Sequence, residues 1–350
     1  MNILMTLLGF LLGVLVITLA GAWLSTLAIK RKVESLLPPT GRMVDVPGAR
    51  LHVREFGQGP AILMIHGLGG QLAHFSYAVA PQLAGRFRVV VVDRPGSGWS
   101  TAMNVAGNTG STGSAGSTGG AGSMDLAGQA AALAALVDRL ALGKPLVVGH
   151  SLGGAVALAL ALNHPDKVAG LALLAPLTHM PDGVPAVFRG LMIRSPLLRK
   201  CIAWTLATPR SISKSAQTLD QVFGPDTVPK DFGMRGGGLL SLRPAAYLAA
   251  SADLQALPGV LPAQQARYGT LRLPLGILFG RDDRILDWRF HGQALADTVP
   301  GARLELIDGG HMLPVTRPEA CIGFIDAMAE ASGLTSGLTR AGAQAAGAAG

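Results

Sequence analysis

Charge is scarce in this chain. Only 14% of its 350 residues are Asp, Glu, Lys or Arg, and 49% are hydrophobic. An ordinary soluble domain carries about a quarter charged residues. Acid is the scarcer sign: 21 Asp and Glu against 29 Lys and Arg leave a formal net charge of +8. That excess does not point to nucleic acid, because the chain has no Lys/Arg block interleaved with aromatics and no recognition motif. Aromatic residues are only 5% of the total. A negatively charged membrane surface is the simpler partner. Cysteine is nearly absent. Cys201 and Cys321 stand far apart, which excludes a disulfide framework and cysteine metal spacing and allows a reducing compartment. No metal cluster or nucleotide motif occurs, so no metal and no cofactor is expected.

Apolar sequence is what the chain has in quantity. Ile3–Ile29 contains no charged residue. At about 1.5 Å per residue it covers the roughly 30 Å hydrocarbon core with length to spare. It predicts a transmembrane helix, with Trp23 towards its interfacial end. A cleaved signal peptide is the competing reading, with a tolerable site at Thr18-Leu19-Ala20. Against it, no Lys or Arg precedes the run, which is also long for such a segment. Lys30-Arg31-Lys32 follow directly, and the positive-inside bias places the rest on the cytoplasmic side. The chain divides into an anchor over 1–32, a stiff linker over 33–41 with Pro38-Pro39, a domain over 42–331 and a disordered tail over 332–350. Residues 104–123 are almost all Gly, Ser, Thr, Ala and Asn. They predict a flexible loop that cannot bury a core.

Within the domain, apolar strand patterns alternate with helical ones. Met43–Val46 and Leu51–Phe56 alternate around Pro47-Gly48, as a hairpin does. Ala61–Ile65, Arg88–Val92, Pro145–Val148, Gly170–Leu174, Leu275–Phe279 and Arg303–Ile307 are short and mostly apolar throughout. Such runs suit strands of a parallel sheet covered on both faces. Pro176 to about Tyr268 breaks the alternation, and about 177–268 reads as an inserted helical cap. Val184–Lys214 holds six basic residues and no acid, interleaved with apolar ones. It suits a lid over a pocket and a surface that lies on an anionic membrane, and the two are compatible.

The domain is organised around Gly149-His150-Ser151-Leu152-Gly153, a G-x-S-x-G between a strand and a helix. A serine on so tight a turn sits in strained backbone, and the glycines remove the Cβ groups that would clash. Ser151, Asp283 and His311 each follow a predicted strand, so all three gather at the C-terminal edge of the sheet. His66-Gly67-Leu68-Gly69 follows another strand.

These motifs, in the order Ser, Asp, His, resemble those of the α/β-hydrolase fold family over roughly Arg42–Glu330. The resemblance implies a mostly parallel eight-stranded sheet flanked by helices, with an inserted cap. It implies Ser151 as nucleophile, His311 as general base and then acid, and Asp283 as the carboxylate that orients the histidine. The backbone N–H groups of Leu68 and Leu152 would hold the oxyanion. The family pattern, with the acid three residues after the glycine, implies Asp283 over the adjacent Asp282; Asp287 and Asp308 are nearby. Asp93 and His66 read as loop braces, and His74, His150, His164, His179 and His291 lack a triad context. Serine at 151 sets the chain apart from relatives with aspartate or cysteine nucleophiles. A membrane-anchored esterase of monoacylglycerol-lipase type, acting on a small-molecule ester or lipid, is the leading expectation. Carbon–carbon hydrolysis of diketones, cofactor-free perhydrolysis and a non-catalytic binding protein are the alternatives. Oligomeric state is not legible.

Overall fold

The structure, a computed structural model, describes residues 2–102, 125–181 and 183–335. The low-complexity loop at 104–123 and the tail beyond 335 lie outside the described residues. Helix α1 (Asn2–Leu36) is unbroken through the apolar run and beyond it. The segment expected as linker therefore begins as helix. Lys30 and Glu34 pair at 2.7 Å one turn apart, and Leu37 N–H closes the last turn on Val33 O at 2.9 Å. The helix stops before Pro38-Pro39, since proline has no N–H and bars helical geometry in the residue before it.

Eight strands form one sheet in the order β1-β2-β4-β3-β5-β6-β7-β8. β1 (Arg42–Val46) and β2 (Ala49–Phe56) are the expected hairpin, and β2 pairs antiparallel with β4 (Arg88–Val92). The other pairings are parallel: β3 (Ala61–Ile65), β5 (Leu146–His150), β6 (Gly170–Leu174), β7 (Leu275–Gly280) and β8 (Arg303–Ile307). Alternation along β3 explains the continuous apolar runs. Ile62 and Met64 face a cluster with Phe75, Val79 and Phe324, while Leu63 and Ile65 face one with Leu133, Val156 and Leu160.

Short helices α2 (Ala73–Ser76) and α3 (Val79–Leu83) cover the first face. α4 (Leu126–Arg139) and α5 (Leu152–Asn163) cover the second. α5 is buried from Leu152 through Ala161, which accounts for its having no polar stripe. The cap lies between β6 and β7. It contains α6 (Pro196–Thr205), α7 (Ala207–Ser213), α8 (Ser215–Phe223) and the long α9 (Pro244–Gln265). α10 (Ala294–Thr298), α11 (Leu313–Thr316) and α12 (Pro318–Ala331) complete the domain. Residues 332–335, expected in the tail, still turn back on the sheet, and Leu334 packs against its core.

The C-terminal part of α1 rests on the cap, against α6, α7 and residues 238–242. Thr26 and Val33 are buried there. Glu34 lies 3.6 Å from the buried guanidinium of Arg243, which also donates to Gly98 O and stacks 4.5 Å from the Trp99 ring centroid.

Candidate active site

Ser151 stands between β5 and α5 with φ 55° and ψ −123°, a conformation that costs a non-glycine residue about 1–3 kcal/mol. Its surroundings hold it there. Ser151 N–H donates to Leu174 O at 3.1 Å, and its carbonyl accepts from Gly154 and Leu177 at 2.8 and 2.9 Å. The glycines are steric necessities. A Cβ at Gly149 would come 2.6 Å from Gly153 O, and one at Gly153 would come 2.2 Å from Ile65 O.

His311 follows β8 and lines the same cavity as Ser151. Its Nδ1–H donates to Asp283 Oδ2 at 2.7 Å. The carboxylate accepts only, so this bond leaves the other ring nitrogen, Nε2, as the acceptor. Asp283 Oδ1 accepts from the N–H groups of Ile285 and Leu286 at 2.7 and 3.0 Å. Its side chain is fully buried, whereas Asp282 is exposed and the Asp308 and Asp287 side chains are 92% and 59% exposed. The structure thus brings Ser151, His311 and Asp283 to one sheet edge, and it does not bring the other acids there.

Leu68 and Leu152 line the cavity beside Ser151. Neither backbone N–H has a protein acceptor among the described residues. The loop carrying Leu68 lies directly on the serine: a Cβ at Gly67 would meet Ser151 Cβ at 2.9 Å. Two unspent donors beside a hydroxyl are what a developing oxyanion requires.

Several braces were not legible in the sequence. The fully buried Arg94 donates to His66 O and Gly67 O at 3.0 Å, and to Gln129 Oε1 and Asp253 Oδ2 at 2.9 Å. It clamps the Leu68 loop and joins it to α9 of the cap. A signal existed: Asp253 is the one charged residue in the 22 residues of α9, and an isolated acid on a buried helix needs a partner. His150, set aside for want of a triad context, holds His311 in place: its Nε2–H donates to His311 O at 2.9 Å. Asp226 of the cap accepts from Gly310 N–H at 3.1 Å and pairs with Arg317 at 2.6 Å, bracing the same loop.

Asp93 and His66 are loop braces, as expected. Asp93 accepts from Leu72 N–H at 2.7 Å, Trp99 N–H at 2.8 Å and His52 at 2.7 Å. His66 donates to Gly67 O at 2.8 Å and accepts from Arg94 N–H at 3.0 Å.

Burial, then the Arg94 charge, holds the His66 imidazolium far below the ordinary histidine range. Burial likewise pushes His74 and His291 down to about 4. The unfolded chain takes up these protons near pH 6.5, while the folded protein resists until about pH 4. The unfolded state therefore binds more protons between those values, and stability falls as pH drops through that window. Thermal unfolding is expected some 5–10 °C lower at pH 5 than at pH 7.5. An unchanged midpoint would contradict neutral burial of these rings.

A cavity of about 780 Å³ opens above Ser151. Its cap walls are mainly apolar, with Met180, Phe188, Leu191, Leu219 and Leu254 among them. Among the described residues no cluster of three or more potential metal ligands occurs.

A serine on a strained strand–helix turn, sharing a cavity with a histidine–carboxylate pair under a cap, defines a hydrolase-type α/β architecture. Residues 60–318 match the alpha/beta hydrolase fold family, and the chain belongs to it. It is 32% identical over 278 residues to the pimeloyl-[acyl-carrier protein] methyl ester esterase of Chromobacterium violaceum, covering 78% of this chain and 87% of that protein. It is 25% identical over 261 residues to the 2-hydroxy-6-oxo-6-phenylhexa-2,4-dienoate hydrolase of Burkholderia cepacia, covering 73% and 82%. Among solved structures, a bacterial membrane phospholipase A superposes with a TM-score of 0.63 at 23% identity, over 94% of this chain and 97% of that one. The family and the Chromobacterium and Burkholderia relatives support hydrolase activity.

Proposed function

We propose that this chain is a membrane-anchored serine hydrolase that cleaves carboxylic esters with apolar acyl groups. The observation that carries the reading is the strained Ser151 sharing a cavity with His311, whose Nδ1–H is held by Asp283 at 2.7 Å. Ser151 attacks the ester carbonyl as His311 takes its proton, and Asp283 steadies the imidazolium. The N–H groups of Leu68 and Leu152 hold the oxyanion. His311 then protonates the leaving alcohol, and water repeats the sequence on the acyl-enzyme.

Substrate class follows from the walls. Among the described cavity-lining residues Lys230 is the one Lys or Arg, which favours a neutral acyl chain over an anionic substrate. A carbon–carbon hydrolase is the second reading, supported by the Burkholderia relative, and Lys230 is the cation that would grip a substrate carboxylate there. The span of α1 is the anchor. Lys30-Arg31-Lys32 at its end support a cytoplasmic domain through the positive-inside bias.

Hydrolysis of p-nitrophenyl esters tests the reading. With about 0.8 kcal/mol per buried methylene, kcat/KM should rise at least about tenfold from butyrate to octanoate. A profile that falls with chain length would reject the apolar acyl pocket. Turnover of a diketone acid with no ester turnover would select the second reading.

A further inference from the structure

The apolar run of α1 and the cap overlap in depth. Lys30, Arg31 and Lys32 mark the headgroup level, because charge does not enter hydrocarbon at small cost. Residues before them belong to the bilayer and its interface. Yet the stripe of α1 that the cap covers begins above that level. Leu19, Ala22 and Ile29 are half-buried and Thr26 is buried, at helical spacing with Val33. Thr26 Oγ1 reaches Thr205 O, at the end of α6, at 3.5 Å. A cap that packs beside these residues lies at the same depth as they do.

The surface it presents there suits that position. Leu197, Leu198, Leu206 and Ile212 are 82%, 51%, 52% and 45% exposed on α6, α7 and their junction. Arg194, Lys200, Arg210 and Lys214 are exposed among them and pair with no acid among the described residues. The cavity over Ser151 also reaches the surface here, at Met192, Ser211, Ile212 and Ser215, which line it and are exposed.

We propose that the α6–α7 face is a bilayer-docking surface for an anionic leaflet, and that the cavity opens into that leaflet. An acyl substrate then enters laterally from among the lipids. The exposed leucines sit among the upper acyl chains while the basic side chains reach the phosphates, each contributing on the order of 1 kcal/mol near such a surface. The proposal rests on the reading of α1 as a membrane span.

Cys201 supplies the probe. It is exposed on α6, one turn from Leu197, whereas Cys321 is buried. The full chain, carrying an environment-sensitive fluorophore on Cys201, is reconstituted in vesicles of phosphatidylcholine with 30% phosphatidylglycerol. Shallow doxyl lipids are expected to quench the label strongly. The quadruple variant Arg194→Gln/Lys200→Gln/Arg210→Gln/Lys214→Gln should lose most of that quenching. It should hydrolyse a long-chain ester in the bilayer about tenfold more slowly, with p-nitrophenyl acetate turnover unchanged.

A label that stays in water and unquenched in the parent protein would overturn the docking surface. So would Cys201–Cys201 cross-linking of the unlabelled protein in the same vesicles, which would assign the face to a second copy. Protein that fails to float with the vesicles would reject the anchor itself. Quenching with no ester turnover would leave the docking surface standing and count against the esterase reading, so the failures are distinguishable.

Discussion

Replacing Ser151 with alanine is expected to lower kcat towards p-nitrophenyl octanoate by about 10⁴–10⁶-fold, as for other serine hydrolases. The substitution removes one oxygen and keeps the Cβ. The strained backbone survives it, because alanine adopts positive φ elsewhere in this chain: Ala175 sits at φ 41°. Loss of activity therefore reports chemistry and not unfolding, and an unchanged melting curve would document that. The residual rate should still exceed that of water, because the free N–H groups of Leu68 and Leu152 remain to hold an oxyanion. A fluorophosphonate should label the parent protein and not the variant. Activity that persists in Ser151→Ala would sink the assignment of all three side chains together, since the roles given to His311 and Asp283 depend on that serine.

The second large effect is on stability. Arg94→Met is expected to cost about 3–5 kcal/mol, because it removes the guanidinium that meets the buried Asp253 carboxylate at 2.9 Å. Chemical denaturation in detergent micelles would measure it. Two carbonyls of the Leu68 loop lose their donor in the same step, so kcat should fall by about tenfold even in the folded fraction, through a loosened oxyanion site. The double variant Arg94→Met/Asp253→Leu separates the effects. It removes both charges, so most of the stability should return. The loop carbonyls stay unbraced, so kcat should not. Equal stability in Arg94→Met and the parent would mean that the pair is not a dry one.

The sheet was legible because its strands are buried on both faces. Runs such as Ala61–Ile65 and Arg88–Val92 read as strands whatever their partners, and the loop after each strand falls at the same edge. Ser151, Asp283 and His311 could be named for that reason. Asp283 was separable from Asp282 only through glycine spacing borrowed from a resemblance, and its full burial is a tertiary fact. The braces were beyond reach for another reason. Arg94 and Gln129 lie 35 residues apart and Asp253 a further 124, and no local pattern ties them. His150 was passed over because its work is done on a backbone carbonyl, which no side-chain motif records. That α1 continues to Leu36 was not legible, because Glu34 meets Arg243, which lies far along the chain.

One consequence follows from the way α1 is seated. The helix is fastened to the cap along Thr26–Glu34, and the catalytic core hangs from its end by Leu37–Gly41 alone in sequence. With α1 in a bilayer, the cap fastened to it is held close against the lipid. The core is tied to that cap as well, through Arg94 and Asp253 at 2.9 Å and through Gln264 Nε2–H on Ala155 O at 3.0 Å. With helix, cap and core joined in series, the depth of a membrane span in α1 would fix the height of the cavity over Ser151 above the lipid.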